Sequence, residues 1–272
     1  GVMEFGPATQ RYWLPAAHAT ALTRAAAADN MAVFAQYIAV LGSVEDDIVA
    51  CFRDGGGVPY ERYTRFHEVM AEDSGQSVLA ALDDHILPLV PGLTARLEGG
   101  IKVLDLGCGR GRILQHLAAR YPRSRFTGID LSAEAIAHAR AEAGRQGLRN
   151  ITFIARDLSD YDRSAEPERY DFITTFDAVH DQARPLNLLQ GIRRALKADG
   201  VYLMQDISGT GHVHTDCGHP IGTFLYTVSC MHCMTVSLAQ GGEGLGAMWG
   251  EAKTRDYLAR AGFGSVVTHR LA

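Results

Sequence analysis

The segment that most restricts this chain is Val103-Leu104-Asp105-Leu106-Gly107-Cys108-Gly109-Arg110-Gly111-Arg112, where a buried apolar run gives way to three alternate glycines and then to a helical pattern. A strand that enters a helix through glycines presents backbone N–H groups to a ligand that comes too close for any Cβ. The dinucleotide fingerprint is G-x-G-x-x-G. Here the spacing is G-x-G-x-G, with an acid two residues before the first glycine, and so departs from that pattern. A tight turn without a ligand is the alternative use of such glycines.

The flanking segments alternate between strand and helix patterns. Strands are expected at 101–106, 125–130, 151–155, 170–176 and 201–207, with helices at 111–121, 133–146 and 185–196. Ser132 is placed as an N-cap and Gly147 as a helix stop. Strands alternating with helices imply βαβ units and a parallel sheet. A helix at 251–261 and a last strand at 265–271 follow. Residues 15–98 read as all-helical: 17–28, then 30–41 with Met31, Phe34, Ile38 and Leu41 on one stripe, a third helix capped by Ser43 and stopped by Gly55-Gly56-Gly57, then 60–71 and 75–86. Residues 208–250 interrupt the rhythm; they are rich in Gly, His and Cys, around a helical core at 221–238.

Composition narrows the classes. The 272 residues carry 26 Lys+Arg against 31 Asp+Glu, a formal charge of −5, and 47% are hydrophobic. A packed core is expected, and the acidic balance lacks the electrostatic footprint of a nucleic-acid binder. No apolar run reaches the ~20 residues of a membrane span. Five cysteines, an odd number without a signal peptide, point to reduced thiols in a cytoplasmic protein.

With its acid and three glycines, Asp105–Gly111 resembles the first motif of class I S-adenosylmethionine-dependent methyltransferases, E/D-x-G-x-G-x-G. The resemblance extends over roughly residues 100–270. It implies a doubly wound, mostly parallel, seven-stranded-type Rossmann-like α/β sheet, with S-adenosylmethionine as cofactor. It further implies that Asp105, Gly107, Gly109 and Gly111 hold the methionyl end, that Asp130 with Leu131 meets the ribose, and that Asp157 and Leu158 meet the adenine. Phe176 would end the fourth strand, where donor and acceptor meet. Taken singly, Asp130 could be a helix-capping acid and Asp157 an exposed loop charge.

The first hundred residues and the 208–250 insertion resemble a bacterial subgroup that carries an N-terminal winged-helix module. That resemblance implies three parts: residues 1–14 as a remnant of the wing hairpin, with the DNA-approaching helices absent; 15–98 as a helical cap that could pair protomers into a homodimer; and 99–272 as the cofactor-binding domain. By the family's pattern, either a seventh, antiparallel strand is missing after 271 or 265–271 is the final strand.

A sulfonium methyl is already activated, so such an enzyme mainly positions an acceptor and removes its proton. In Phe176-Asp177-Ala178-Val179-His180-Asp181-Gln182, His180 is the first candidate base, with Asp177 or Asp181 to orient it; a structural cap is the alternative. The subgroup's Cys-Met-His-Cys-Met stretch implies a substrate-covering helix with His232 as a second base and Tyr226, Met231 and Trp249 as pocket wall. Phe66, with Tyr63 and Met70, would belong to a lid. Ordinary core packing is the alternative for all of these. The Cys230-x-x-Cys233 spacing and the histidines at 212, 214 and 219 raise zinc, but the cysteine pair falls inside an apolar helical run, so no metal is expected. The motif of adenine-modifying methyltransferases is absent after the fourth strand. The expected function is methyl transfer to O, N or C of a small metabolite, without nucleic acid or membrane. The rivals are a winged-helix regulator that senses ligand without turnover and a nicotinamide-dependent oxidoreductase.

Overall fold

The computed structural model describes residues 1–271. Its centre is a five-stranded parallel sheet of β3 (Lys102–Leu106), β4 (Arg125–Asp130), β5 (Ile151–Ala155), β6 (Tyr170–Phe176) and β7 (Leu196–Gln205), in the order β5-β4-β3-β6-β7. The chain runs outward from β3 to β5, then returns to the other side of β3 with β6. The strand order therefore reverses between β3 and β6, and ligands of open α/β sheets bind at the carboxyl ends beside such a switch. Helices cover both faces, which explains why β3 and β6 are buried along nearly their whole length. Val103, Phe126, Phe153 and Phe172 pack on one face. Leu104, Leu106, Ile129 and Ile173 pack on the other.

Ahead of the sheet, β1 (Glu4–Gly6) and β2 (Arg11–Trp13) form an antiparallel hairpin with Glu4 opposite Trp13. The helical layer begins with α1 (Ala16–Leu22), α2 (Ala32–Gly42) and α3 (Glu45–Asp54). The helix expected at 17–28 breaks at Thr23 into α1 and a 3-10 turn, because α1 buries none of its residues and propensity alone does not hold a short helix. On α2 the buried stripe is Val33, Tyr37, Val40 and Leu41, while Met31 and Ile38 face outward. The helix is apolar nearly all round, so periodicity did not single out the inward side. Ser43 caps nothing; its hydroxyl donates back to the Val40 carbonyl.

The single helix expected over 60–71 is also broken. A 3-10 turn at Tyr60–Arg62 is followed by Arg65 in the left-handed region (φ 62) and then by α4 (Phe66–Gln76). Further along, α5 (Leu93–Gly99), α6 (Arg112–Arg120), α7 (Ala133–Arg145), α8 (Pro185–Ala195) and α9 (Glu251–Arg260) complete the sheet's cover. Ser132 does cap α7, accepting from the Ala135 N–H.

Within the insertion, helical residues 222–239 contain a π-helical turn at Ser229–Cys233. This segment packs on the helical layer, where Val236 shares a core with Tyr37, Val40, Tyr63 and Phe66. At Gly57 a Cβ would stand 2.1 Å from the Thr235 carbonyl oxygen, so the two backbones touch where no side chain fits. The Val58 N–H donates to the Thr235 hydroxyl at 2.7 Å beside it. The strand expected at 265–271 is absent among the described residues. That segment has no ladder partner, Val267 is 74% exposed, and the sheet has five strands. No single helix among the described residues is long and apolar enough to cross a membrane.

Candidate functional site

The loop after β3 folds around β4. The Gly107 and Cys108 N–H groups both donate to the Ile129 carbonyl, at 2.8 and 3.2 Å. The Gly109 N–H donates to Asp130 Oδ2, and the Ser132 N–H to Asp130 Oδ1, each at 2.8 Å. Asp130 thus ties the glycine loop to the start of α7, and its remaining lone pairs are open to a ligand. Gly107 and Gly111 leave no room for a side chain, and Gly107 (φ 73) would put a Cβ 2.4 Å from the Ala178 Cβ. Gly111 (φ 69) would put a Cβ 2.4 Å from the Phe153 ring. Gly109 (φ 51) has nothing within 4 Å of its would-be Cβ, so its backbone borders open space.

That open space is a cleft at the carboxyl ends of β3, β4 and β6. Asp105, the glycines, Asp130, Leu131, Asp157, Leu158, Phe176, Asp177 and Asp181 line it from the sheet side. From the helical layer, Tyr60, Phe66, His67 and Met70 roof it. The break before α4 is what brings Tyr60 and Phe66 over the same opening. Asp157 is exposed and self-contained, accepting from the Ser159 N–H and hydroxyl at 2.8 and 3.0 Å.

Several carboxyls here are held out of water. Burial pushes Asp105 up to about 7 against the stabilising hydroxyl of Thr174, which donates to Oδ1 at 2.8 Å. Burial, then the nearby Asp206 charge, pushes Asp177 up to about 7 as well. Asp177 adopts φ 48 and accepts from the Gln205 amide at 3.2 Å.

His180 lies behind this wall rather than in it. It is 2% exposed and is not among the cleft residues. Its Nδ1 is 2.7 Å from Asp206 Oδ1, and its Nε2 is 3.3 Å from Asp181 Oδ1. Of the two orienting partners expected from sequence, Asp181 is the one that faces it, and Asp177 is not bonded to it. Burial opposes the charge on His180, but the Asp206 and Asp181 carboxylates outweigh it and hold the pKa well above the ordinary value. A histidine so paired is poorly placed to take a proton from an acceptor in the cleft. Asp206 was not anticipated, although an acid directly after the last strand of a parallel sheet is a recognisable signal. Its other oxygen accepts from the Trp249 indole N–H at 3.1 Å.

The remaining predicted residues separate. Phe66 and Asp181 reach the cleft. Trp249, 3% exposed, is core beneath the sheet and touches Tyr257 edge-on. The Tyr226 hydroxyl donates to Asp216 at 2.9 Å, away from the cleft. Met231 packs into the helical core, and its carbonyl accepts from the Tyr63 hydroxyl at 2.5 Å. His232 is 1% exposed and stacks on Phe66 at 3.5 Å, with Tyr60 and Tyr63 edge-on. Neither of its ring nitrogens has a hydrogen-bond partner, and burial, then the neighbouring His67 and His180, lowers its pKa well below the usual value. Phe66 closes off the face through which an acceptor would reach it. All five cysteines are free.

Comparison with known proteins agrees with this geometry. Residues 97–246 match the family described as "Methyltransferase domain". A malonyl-[acyl-carrier protein] O-methyltransferase of Bacillus cereus is 28% identical over 153 residues, which is 55% of this chain and 49% of that protein. A ubiquinone biosynthesis O-methyltransferase of Actinobacillus pleuropneumoniae is 34% identical over 114 residues, 41% of this chain and 47% of its own. The chain thus spans about half the length of the curated relatives it matches. In fold it is similar to a Nostoc punctiforme protein assigned to the O-methyltransferases (TM-score 0.66, 20% identity, 97% of this chain and 75% of that one). It is similar also to mitomycin 7-O-methyltransferase (TM-score 0.62, 18% identity, 96% and 74%). With the family match covering more than half of its residues, this chain belongs to the methyltransferase-domain family, the class I S-adenosylmethionine-dependent methyltransferases.

Proposed function

We propose that the protein transfers a methyl group from S-adenosylmethionine to a nucleophilic oxygen, nitrogen or carbon of a small molecule. The observation that carries this reading is the enclosure of one cleft by two different walls. A glycine cradle with Asp130 stands on the sheet side, and Tyr60, Phe66, His67 and Met70 cover it from the helical layer. The cradle suits the donor, because Gly109 leaves open space where any other residue would project a Cβ. A roof so close suits a compact acceptor better than a folded macromolecule. The curated relatives act, by their names, on malonyl-acyl-carrier protein and in ubiquinone biosynthesis.

When bound, S-adenosylmethionine supplies a methyl group on a positively charged sulfur. In this reading Gly107, Gly109, Gly111 and Asp105 seat its methionyl end, Asp130 and Leu131 its ribose, and Asp157 and Leu158 its adenine. Phe176 and Asp177, at the end of β6, border the place where the acceptor arrives. A protic acceptor held there would pass its proton to Asp177. His180 then acts as a positioning residue between Asp206 and Asp181.

Calorimetric titration with S-adenosylhomocysteine tests the donor half. Asp130→Ala should weaken binding by about 10- to 100-fold, since it removes a ligand acceptor and two backbone ties. Unchanged affinity in that variant would defeat the assignment. Asp177→Asn should keep this affinity and lower turnover by on the order of 100-fold with a protic acceptor. Pairing of two copies would bury the outward side chains Ile38 and Phe52, 77% and 79% exposed, and sedimentation measures it directly.

A further inference from the structure

Beside the cleft, three side chains from two distant segments converge. A ring nitrogen of His180, a carboxylate oxygen of Asp181 and the Cys233 sulfur all lie within 4.8 Å of one another. His180 and Asp181 stand on the loop after β6, and Cys233 closes the π-helical turn of the insertion. This is not the cluster that sequence spacing suggested. Cys230 is not a member, and His212, His214 and His219 lie elsewhere on the insertion.

Three further features give the convergence the character of a cation site. Asp181 Oδ1 is buried and has no hydrogen-bond partner, although it faces His180 Nε2 at 3.3 Å. An unpartnered buried carboxylate oxygen is costly, and a cation removes the cost. His232, one residue before Cys233, is buried with both ring nitrogens unpartnered, and its Nδ1 is 3.9 Å from Asp181 Oδ2. The far side of His180 is already arranged as metal-binding histidines are: Nδ1 meets Asp206 Oδ1 at 2.7 Å, which aims Nε2 inward at Asp181, where a metal ion would displace its proton. Asp206 is itself fixed by the Trp249 indole and the Ile207 N–H, at 3.1 and 2.8 Å.

We propose that His180, Asp181 and Cys233 bind a single zinc ion through Nε2, a carboxylate oxygen and the thiolate, with Asp206 orienting the histidine. One nitrogen, one sulfur and one hard oxygen is a donor set that zinc accepts and that magnesium or calcium does not. A thiolate and a carboxylate balance the charge of the ion, and the thiol proton and the Nε2 proton of the charged His180 both leave on binding. Three protein ligands leave the fourth tetrahedral position open, as in zinc sites that meet a substrate or water. Asp181 borders the cleft, so the ion would join the insertion helix to the cleft wall beside the acceptor position.

The test uses the whole chain and the metal alone. Protein purified without chelator should hold one zinc per chain by elemental analysis. After chelation and dialysis, calorimetry with zinc should return one tight site. Cobalt(II) in place of zinc should give a sulfur-to-cobalt charge-transfer band, which reports a thiolate ligand without any substitution. That band should vanish in Cys233→Ser and persist in Cys230→Ser, and Asp206→Asn should weaken zinc binding by about 10- to 100-fold. Absence of both stoichiometric zinc and the cobalt band in the unaltered protein would overturn the proposal, and so would a band that survives Cys233→Ser. The proposal does not depend on the methyl-transfer reading, and titration with S-adenosylhomocysteine reports that reading separately.

Discussion

Replacing Asp105 by asparagine should stabilise the fold and weaken the donor site, with a pH signature that identifies the cause. The carboxyl is 3% exposed and its pKa stands at about 7, against an ordinary value of 3.8. A carboxyl whose folded pKa lies above its unfolded one binds its proton more tightly in the folded state. Stability is then greatest below the unfolded pKa, declines as pH rises from 3.8 towards 7, and levels off above. Over the whole interval the loss is about 4 kcal/mol, and the part that falls between pH 5 and pH 8 is about 3 kcal/mol. The asparagine that replaces it does not titrate, although its buried amide N–H groups carry a pH-independent cost of about 1–3 kcal/mol. The variant should therefore gain roughly 3 kcal/mol on the natural protein between pH 5 and pH 8, a relative rise in melting temperature of about 5–10 °C. Paired thermal melts at the two pH values measure it. A difference between the proteins that stays constant with pH would refute the argument. The same substitution should weaken S-adenosylhomocysteine binding, because Asp105 lies in the cleft directly before the glycine cradle.

Gly111→Ala combines φ 69 with a Cβ 2.4 Å from the Phe153 ring, so a loss of about 2–4 kcal/mol is expected in denaturant unfolding, together with weaker donor binding. Gly57→Ala places a methyl group 2.1 Å from the Thr235 carbonyl and should force the helical layer away from the insertion helix; faster hydrogen exchange over residues 222–239, with little change in the sheet, is the expected pattern. Leu114→Ala, at a side chain fully buried between α6 and the sheet, should cost about 2–5 kcal/mol by leaving a cavity, and a smaller loss would mean the site collapses around it.

How far the sequence could be read follows the range of the forces involved. The glycine loop, the first four parallel strands and the Ser132 cap are local: each needs only a period, a left-handed residue or an N-cap within a few positions, and each stands where the pattern put it, whereas β7 begins at Leu196 and ends at Gln205 instead of spanning 201–207. The inward side of α2 was not legible, because Ile38 and Val40 are equally apolar and only the packing of Phe66 and Val236 decides between them. The break at Arg65 was hidden for a related reason. Tyr60, Tyr63, Phe66 and Met70 keep a helical spacing even though Tyr63 leaves the helix to donate to Met231, 168 positions away.

The same distance governs the reading of His180. In sequence its neighbours are Asp177 and Asp181, so one of them was the natural partner for a catalytic imidazole. In the folded chain β7 lies beside β6 in parallel register, with Phe176 opposite Gln205, so the residue that follows each strand emerges at the same edge. That register, and not the local spacing, delivers Asp206 to Nδ1 and turns His180 from the cleft into the wall behind it. Once there, its charge is held by two carboxylates, and Asp177 and Asp181 are the acids that line the cleft after β6. On this reasoning Asp206→Asn and His180→Ala should both misplace Asp181 and lower turnover with donor affinity kept, whereas Asp177→Asn should lower turnover of a protic acceptor by on the order of 100-fold without moving either neighbour. Equal kinetic defects in all three variants, with unchanged structure in each, would return the base to His180.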